Sequence, residues 1–186
     1  MENTNAYLDP QQFLESKYSE SFRPYSMITD SIDQPYIEYF FIADSNPNVF
    51  NRVIYDGIDF YDDYFGTLIK EEYLQIVSSI INQFDKTAKC FADFKARSFP
   101  NDFCSKNMLY IMLRKMKKKL AANIYVFINK SSKFNVETIE EIKDLLELNQ
   151  LTGNLYICII QGPLSIINND NYKNFISNPS YSIKIN

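Results

Sequence analysis

The sequence predicts an α/β fold: a single domain over residues 1–186 with a mixed sheet, a parallel βαβ core flanked by helices, an N-terminal irregular or helical arm and one hairpin. Three observations predict it. The runs 124–128 (IYVFI) and 155–160 (LYICII) are apolar without alternation, the pattern of strands buried on both faces. A helix over 136–148, capped by Asn135, lies between them and supplies the crossover that a parallel pair requires, with a right-handed connection expected. The 186 residues are 46% hydrophobic and 16% aromatic, enough to build one soluble core.

Residues 1–35 read as a wrapping arm and 36–186 as the body. Asp9-Pro10 opens a short helix, with Asp9 as cap, Pro10 in the first turn and Phe13, Leu14 and Tyr18 on its buried side. Arg23-Pro24 and Gln34-Pro35 then bracket a loop-like region whose hydrophobic pegs are Phe22, Tyr25, Met27 and Ile28. The run YIEYFFIA at 36–43 is aromatic and β-branched and reads as a strand. Asp56-Gly57 sits between two apolar stretches, which predicts a hairpin with a two-residue type I′ turn; a loop leading into the next helix is the competing reading. Ile69, Tyr73, Ile76, Val77, Ile80 and Phe84 recur at helical spacing and predict a helix over 69–84. A strand over 88–96 follows, then a second helix from a cap at Asn101 or Asp102 to Leu120, and a last edge strand at 181–185.

Several chemistries are excluded by composition. Without histidine there is no Ser-His-Asp triad, Cys-His dyad, HExxH site or Cys2His2 finger. Four glycines, Gly57, Gly66, Gly153 and Gly162, write neither GxGxxG nor GxxxxGK[ST]. Cys90, Cys104 and Cys158 form no CxxC pair and read as reduced core thiols. Cys104 near the second helix's start is a weak nucleophile candidate because no imidazole is available to activate it. The opening MENTNAYLDPQQ lacks the basic start and apolar run of a signal peptide, and no apolar stretch approaches membrane-spanning length, so a cytoplasmic protein without membrane association is expected. No cofactor is implied.

Charge is distributed unevenly. Residues 1–72 hold 14 acidic and 4 basic side chains, whereas 73–186 hold 9 acidic and 15 basic. On the second helix Arg114, Lys117 and Lys118 lie opposite an apolar arc and form a basic ridge, a candidate phosphate or nucleic-acid contact. Lysines in a last helical turn are equally accounted for by the helix dipole and by solubility. At the acidic end, YDGIDFYDDYF interleaves aspartates with aromatic rings. Tyr55, Asp59, Tyr61, Asp62, Asp63 and Tyr64 are the candidate partner-binding residues, because tyrosine anchors beside steering carboxylates suit a basic partner. The alternative places those rings in the core and the aspartates in water. Asp59, Asp62 and Asp63 with Glu71 or Glu72 are also weighed as a Mg²⁺ site, although their spacing matches no EF-hand, and no metal site is assigned.

The leading expectation is therefore a non-enzymatic protein-binding domain that neutralises a basic protein partner, in the manner of an inhibitor, immunity or anti-defence protein. The rivals are an enzyme with a Rossmann-like half and a site near Asn129, Lys130, Gln161 and Gly162 at the strand carboxyl ends, and a nucleic-acid-associated factor using the basic helix.

Overall fold

In the computed structural model, which describes residues 9–28, 36–94, 99, 104–105, 109, 120–130, 134–176 and 178–186, the chain enters through helix α1 (Pro10–Tyr18). Its start is the one expected: Asp9 accepts from the Gln11 N–H at 2.8 Å, Pro10 occupies the first turn, and Phe13 and Leu14 are buried. Four strands follow, β1 (Phe22–Ile28), β2 (Ile37–Ala43), β3 (Asn46–Tyr55) and β4 (Phe60–Asp62), paired antiparallel in that order. Residues 22–28 are thus a strand and not a loop. Proline is tolerated there because β1 is at the sheet edge, and a register shift between Pro24 and Ser26 marks the irregularity.

The hairpin exists between β3 and β4, but its turn differs from the expected one. Tyr55 pairs with Phe60, so residues 56–59 form a four-residue loop. Its shape comes from the Asp56 carboxylate, which accepts from the N–H groups of Ile58 (3.1 Å) and Asp59 (3.0 Å), with Gly57 at φ 94°. An aspartate that organises two backbone donors replaces the bare two-residue turn.

Helix α2 (Tyr64–Ile81) begins five residues before the apolar periodicity suggested, because Asp62 Oδ1 accepts from the Tyr64 N–H (3.0 Å) at its start. The second sheet is β5 (Lys89–Phe94), β6 (Leu120–Asn129), β7 (Leu151–Ile160) and β8 (Tyr181–Ile185), in that order. The expected core is here: β6 and β7 are central and parallel, with Ile124 opposite Leu155, and the outer pairs are antiparallel. Helix α3 (Val136–Leu148) connects them, capped by Asn135, whose side chain accepts from the Thr138 N–H at 2.8 Å. Ile124, Val126, Phe127 and Ile128 are all buried, which is why the run lacks alternation. Gly153 lies inside β7 at φ 116°, where an added Cβ would meet the Ala122 backbone of β6.

The chain divides into two compact units: 1–68 with 95–106, and 69–94 with 107–186. The first has a core of Phe13, Leu14, Phe22, Phe41, Val53 and Tyr64. In the second, Phe91, Tyr125, Phe127, Cys158 and Tyr172 cluster on one face of the sheet, with short 3-10 turns at Leu164–Ile166 and Tyr172–Phe175 supplying Leu164 and Tyr172. Among the described residues, no helix is long and apolar enough to cross a membrane. Cys158 is buried and Cys90 half-buried, but Cys104 is exposed, so it is not the core thiol expected. Burial pushes the Cys90 thiol up to about 12 and Cys158 up to about 11, which leaves both inert.

Candidate functional site

The acidic aromatic segment separates into an inner and an outer part. Asp62, at the end of β4, is 2% exposed and is held from three sides: the Lys17 ammonium at 2.7 Å, the Tyr18 hydroxyl at 2.6 Å and the Tyr64 N–H. Lys17 and Tyr18 both come from the last turn of α1, so this carboxylate ties the helix to the hairpin. Burial and the Asp62 charge hold the Tyr18 hydroxyl protonated well above the usual tyrosine range. Tyr64 is equally internal, with its ring against Tyr18 and Phe22 and its hydroxyl on Glu20 and Ser45. Asp62 and Tyr64 are therefore removed from the candidate contact surface: a charge taken out of water needs such partners, and they are inside the fold.

Asp63 is half-buried. It accepts from the Arg52 N–H at 2.7 Å, and the Arg52 guanidinium, 4.0 Å away, also pairs with Glu38 at 3.3 Å. Burial pushes the Asp63 carboxyl up to about 7, against the Arg52 contacts that favour its charged form. Tyr55 and Tyr61 are half-buried, and the Tyr55 hydroxyl donates to the Gly57 carbonyl at 3.0 Å. Asp59 is exposed, and beside it in the loop Ile58 is 85% exposed. No group of three or more Cys, Asp or Glu side chains among the described residues is arranged to hold a metal ion.

The most exposed large apolar side chains on the strands of the first sheet lie outside the acidic segment. Tyr25 (62%), Met27 and Ile28 on β1, and Phe50 on β3, are each more than half exposed, and the Tyr25 and Phe50 rings meet at 4.4 Å between centroids. Of the four hydrophobic pegs expected in this stretch, Phe22 is buried, whereas Tyr25, Met27 and Ile28 are not. The register runs Ile28 to Glu38 to Ile54, one step from the Tyr55–Phe60 pair, so the end of β1 and the 56–59 loop share one end of the sheet. The available signal was the run FRPYSMI itself, rich in strand formers; its proline is compatible with an edge strand.

Cations are scarce in this part of the chain. Residues 1–68 contain three, Lys17, Arg23 and Arg52, against twelve Asp or Glu. All three pair internally, with Asp62, Asp44 and Glu38 respectively. With Lys95, Arg97, Lys106 and Asp102 of 95–106 added, the unit has 13 acidic against 6 basic residues and a surplus of negative charge.

Of the other sequence candidates, Arg114, Lys117 and Lys118 lie outside the described residues, and Leu120 belongs to β6 and not to a helix. Asn129, Lys130, Gln161 and Gly162 do stand at the ends of the adjacent parallel strands, with Lys130 the one ionisable side chain of the four.

No family model matches the chain, and no curated protein sequence does. Among solved structures it is similar to a DUF5037 family protein from Ruminococcus gnavus, with a TM-score of 0.45 at 15% identity, covering 92% of this chain and 87% of that one.

Proposed function

We propose that this chain is a non-enzymatic protein-binding domain whose first unit docks on a basic protein partner and neutralises it, as an inhibitor or immunity-type protein does. The observation that carries the reading is the edge strand β1, where Tyr25 and Ile28, with Phe50 against the Tyr25 ring, leave apolar side chains uncovered on a unit of negative charge. The contact set is Tyr25, Ile28, Phe50, Ile58 and Asp59. The aromatic pair and aliphatic side chains act as anchors, and the carboxylates accelerate encounter with a cationic surface. Pro24 and the register shift break the hydrogen-bonding edge, so side chains and not backbone are what the strand offers. A reducing compartment such as the cytoplasm is part of this reading, and the three free cysteines support it.

The test is cross-linking in lysate of the producing cell followed by kinetics on the purified partner. Tyr25→Ser with Phe50→Ser is expected to speed dissociation, weakening binding about 30-fold or more if the pair is a hot spot of roughly 2 kcal/mol. Asp59→Lys, which leaves the turn-forming Asp56 in place, is expected to slow association and reduce its salt dependence. An acidic partner, or unchanged kinetics in both variants, overturns the proposal.

A further inference from the structure

In the second unit, four charged or hydroxyl-bearing side chains from three elements converge at the outer edge of β5. Asp93 of β5 accepts from the Tyr172 hydroxyl at 2.5 Å through one oxygen and from the Lys173 ammonium at 3.1 Å through the other. The Tyr172 ring is fixed by parallel stacking on Phe91, with centroids 4.6 Å apart and planes 2° apart. Lys173 and Lys70, the latter from α2, hold their ammonium groups 5.8 and 6.0 Å from the centre of that same ring. Asp93 neutralises one of the two cations. Lys70 is half-buried and, among the described residues, has neither a hydrogen-bond acceptor nor an ion-pair partner. Among the described residues a partly desolvated ammonium thus has no acceptor for its three donors, an incomplete arrangement.

We propose that Lys70 and Lys173, set around the Tyr172 ring, form a binding site for a phosphate group, with Lys70 supplying the unshared charge and Lys173, whose charge Asp93 partly offsets, the second ammonium. Phosphate is favoured over carboxylate because the donors are two separate ammonium point charges and no planar guanidinium fork is present to match a carboxylate edge. The Asp93 carboxylate opposes any anion here, so binding rests on the second lysine. The direction of the Lys70 shift agrees: burial lowers its pKa and the Lys173 charge lowers it further, while Asp93 raises it. An anion beside Lys70 relieves both lowering effects.

The test is a titration of the lysine Cε–Hε NMR signals of the full chain at constant ionic strength, with inorganic phosphate, a phosphate monoester, acetate and chloride as separate arms. Saturable shifts at Lys70 and Lys173 are expected with phosphate or the monoester, together with a rise in the pH at which Lys70 titrates. Acetate is expected to act at least tenfold more weakly, and Lys184, exposed on β8, to show no saturable shift. A preference for the monoester over inorganic phosphate identifies a phosphorylated molecule as the source; the reverse preference identifies the free ion. Lys70→Gln should weaken phosphate binding at least fivefold, and Asp93→Asn, which removes the competing charge, should tighten it severalfold. Thermal melts confirm that both variants fold. A Lys70 response that is linear in phosphate, or equal in chloride, overturns the site. So does Asp93→Asn binding phosphate no more tightly than wild type, because Lys70 would then be only a distant ion partner of Asp93.

Discussion

Replacing Lys17 by methionine separates the inner carboxylate from its cation while keeping a side chain of similar length. The Asp62 carboxylate is wholly enclosed and Lys17 is 7% exposed, so neither charge is screened by solvent. Removing one member of such a pair leaves the other buried and uncompensated, a loss of roughly 3–5 kcal/mol. Asp62 keeps the Tyr18 hydroxyl and the Tyr64 N–H as donors, which places the expected cost near the lower end, about 3 kcal/mol. In urea, with a slope of about 2–3 kcal/mol per molar, that is a midpoint shift of roughly 1–1.5 M. The double variant Lys17→Met with Asp62→Asn removes both charges, and an asparagine oxygen still accepts from Tyr18 and Tyr64. It is expected to recover about 2 kcal/mol of the loss. Circular dichroism follows the unfolding, because the chain has no tryptophan, and hydrogen exchange over α1 and β1–β4 assigns the effect to the first unit. A single variant within about 1 kcal/mol of wild type, or a double variant no more stable than the single one, refutes the argument that this pair fastens α1 to the hairpin.

Two further outcomes follow from named geometry. With the Asp63 carboxyl pushed up to about 7, the folded protein retains a proton that the unfolded chain releases near pH 4; this contribution is complete below pH 4 and is lost as pH rises through about 7. Asp63→Asn should therefore flatten the decline in stability between pH 4 and 7 and be relatively more stabilising at pH 8, as read from denaturation midpoints across that range; an unchanged slope refutes the assignment. Gly153→Ala should prevent folding of the second unit or cost more than about 3 kcal/mol, because the new Cβ is driven into the Ala122 carbonyl at a left-handed backbone position, and a variant with native exchange protection in β6 and β7 contradicts this.

The parts of the fold legible in the sequence are those fixed by local pattern. Two-sided burial makes 124–128 and 155–160 continuous apolar runs, Asn135 marks the start of α3, and Asp9-Pro10 marks the start of α1. What could not be read depends on contacts distant along the chain. Tyr64 and Asp62 look like surface residues beside Asp59 and Asp63 until α1, 44 and 45 residues earlier, brings Tyr18 and Lys17 against Asp62. Conversely, Tyr25, Met27 and Ile28 resemble core pegs because nothing in composition says that β1 terminates the first sheet. Net charge is the same whether an aspartate is paired or open to water, so composition does not tell that Asp62 is already held by Lys17.

That distinction bears on the proposed docking surface. An exposed strand carrying Tyr25, Met27 and Ile28 would ordinarily invite edge-to-edge pairing, since unpaired backbone groups and apolar side chains favour the same contact. Here the two are uncoupled. Pro24 supplies no N–H, and the shift in register between Pro24 and Ser26 displaces the following residues from a regular edge. The Tyr25 ring leans instead on Phe50 of β3, two strands away, so its position is set by a side-chain stack that spans β2. A ring fixed in this way loses little conformational freedom on contact, the property that makes tyrosine an effective anchor. Negative charge at the 56–59 loop then opposes the approach of a second copy of this unit, while attracting a cationic surface. On the proposed reading, irregular backbone, a braced ring and the exposed Asp59 carboxylate favour a basic partner over self-association.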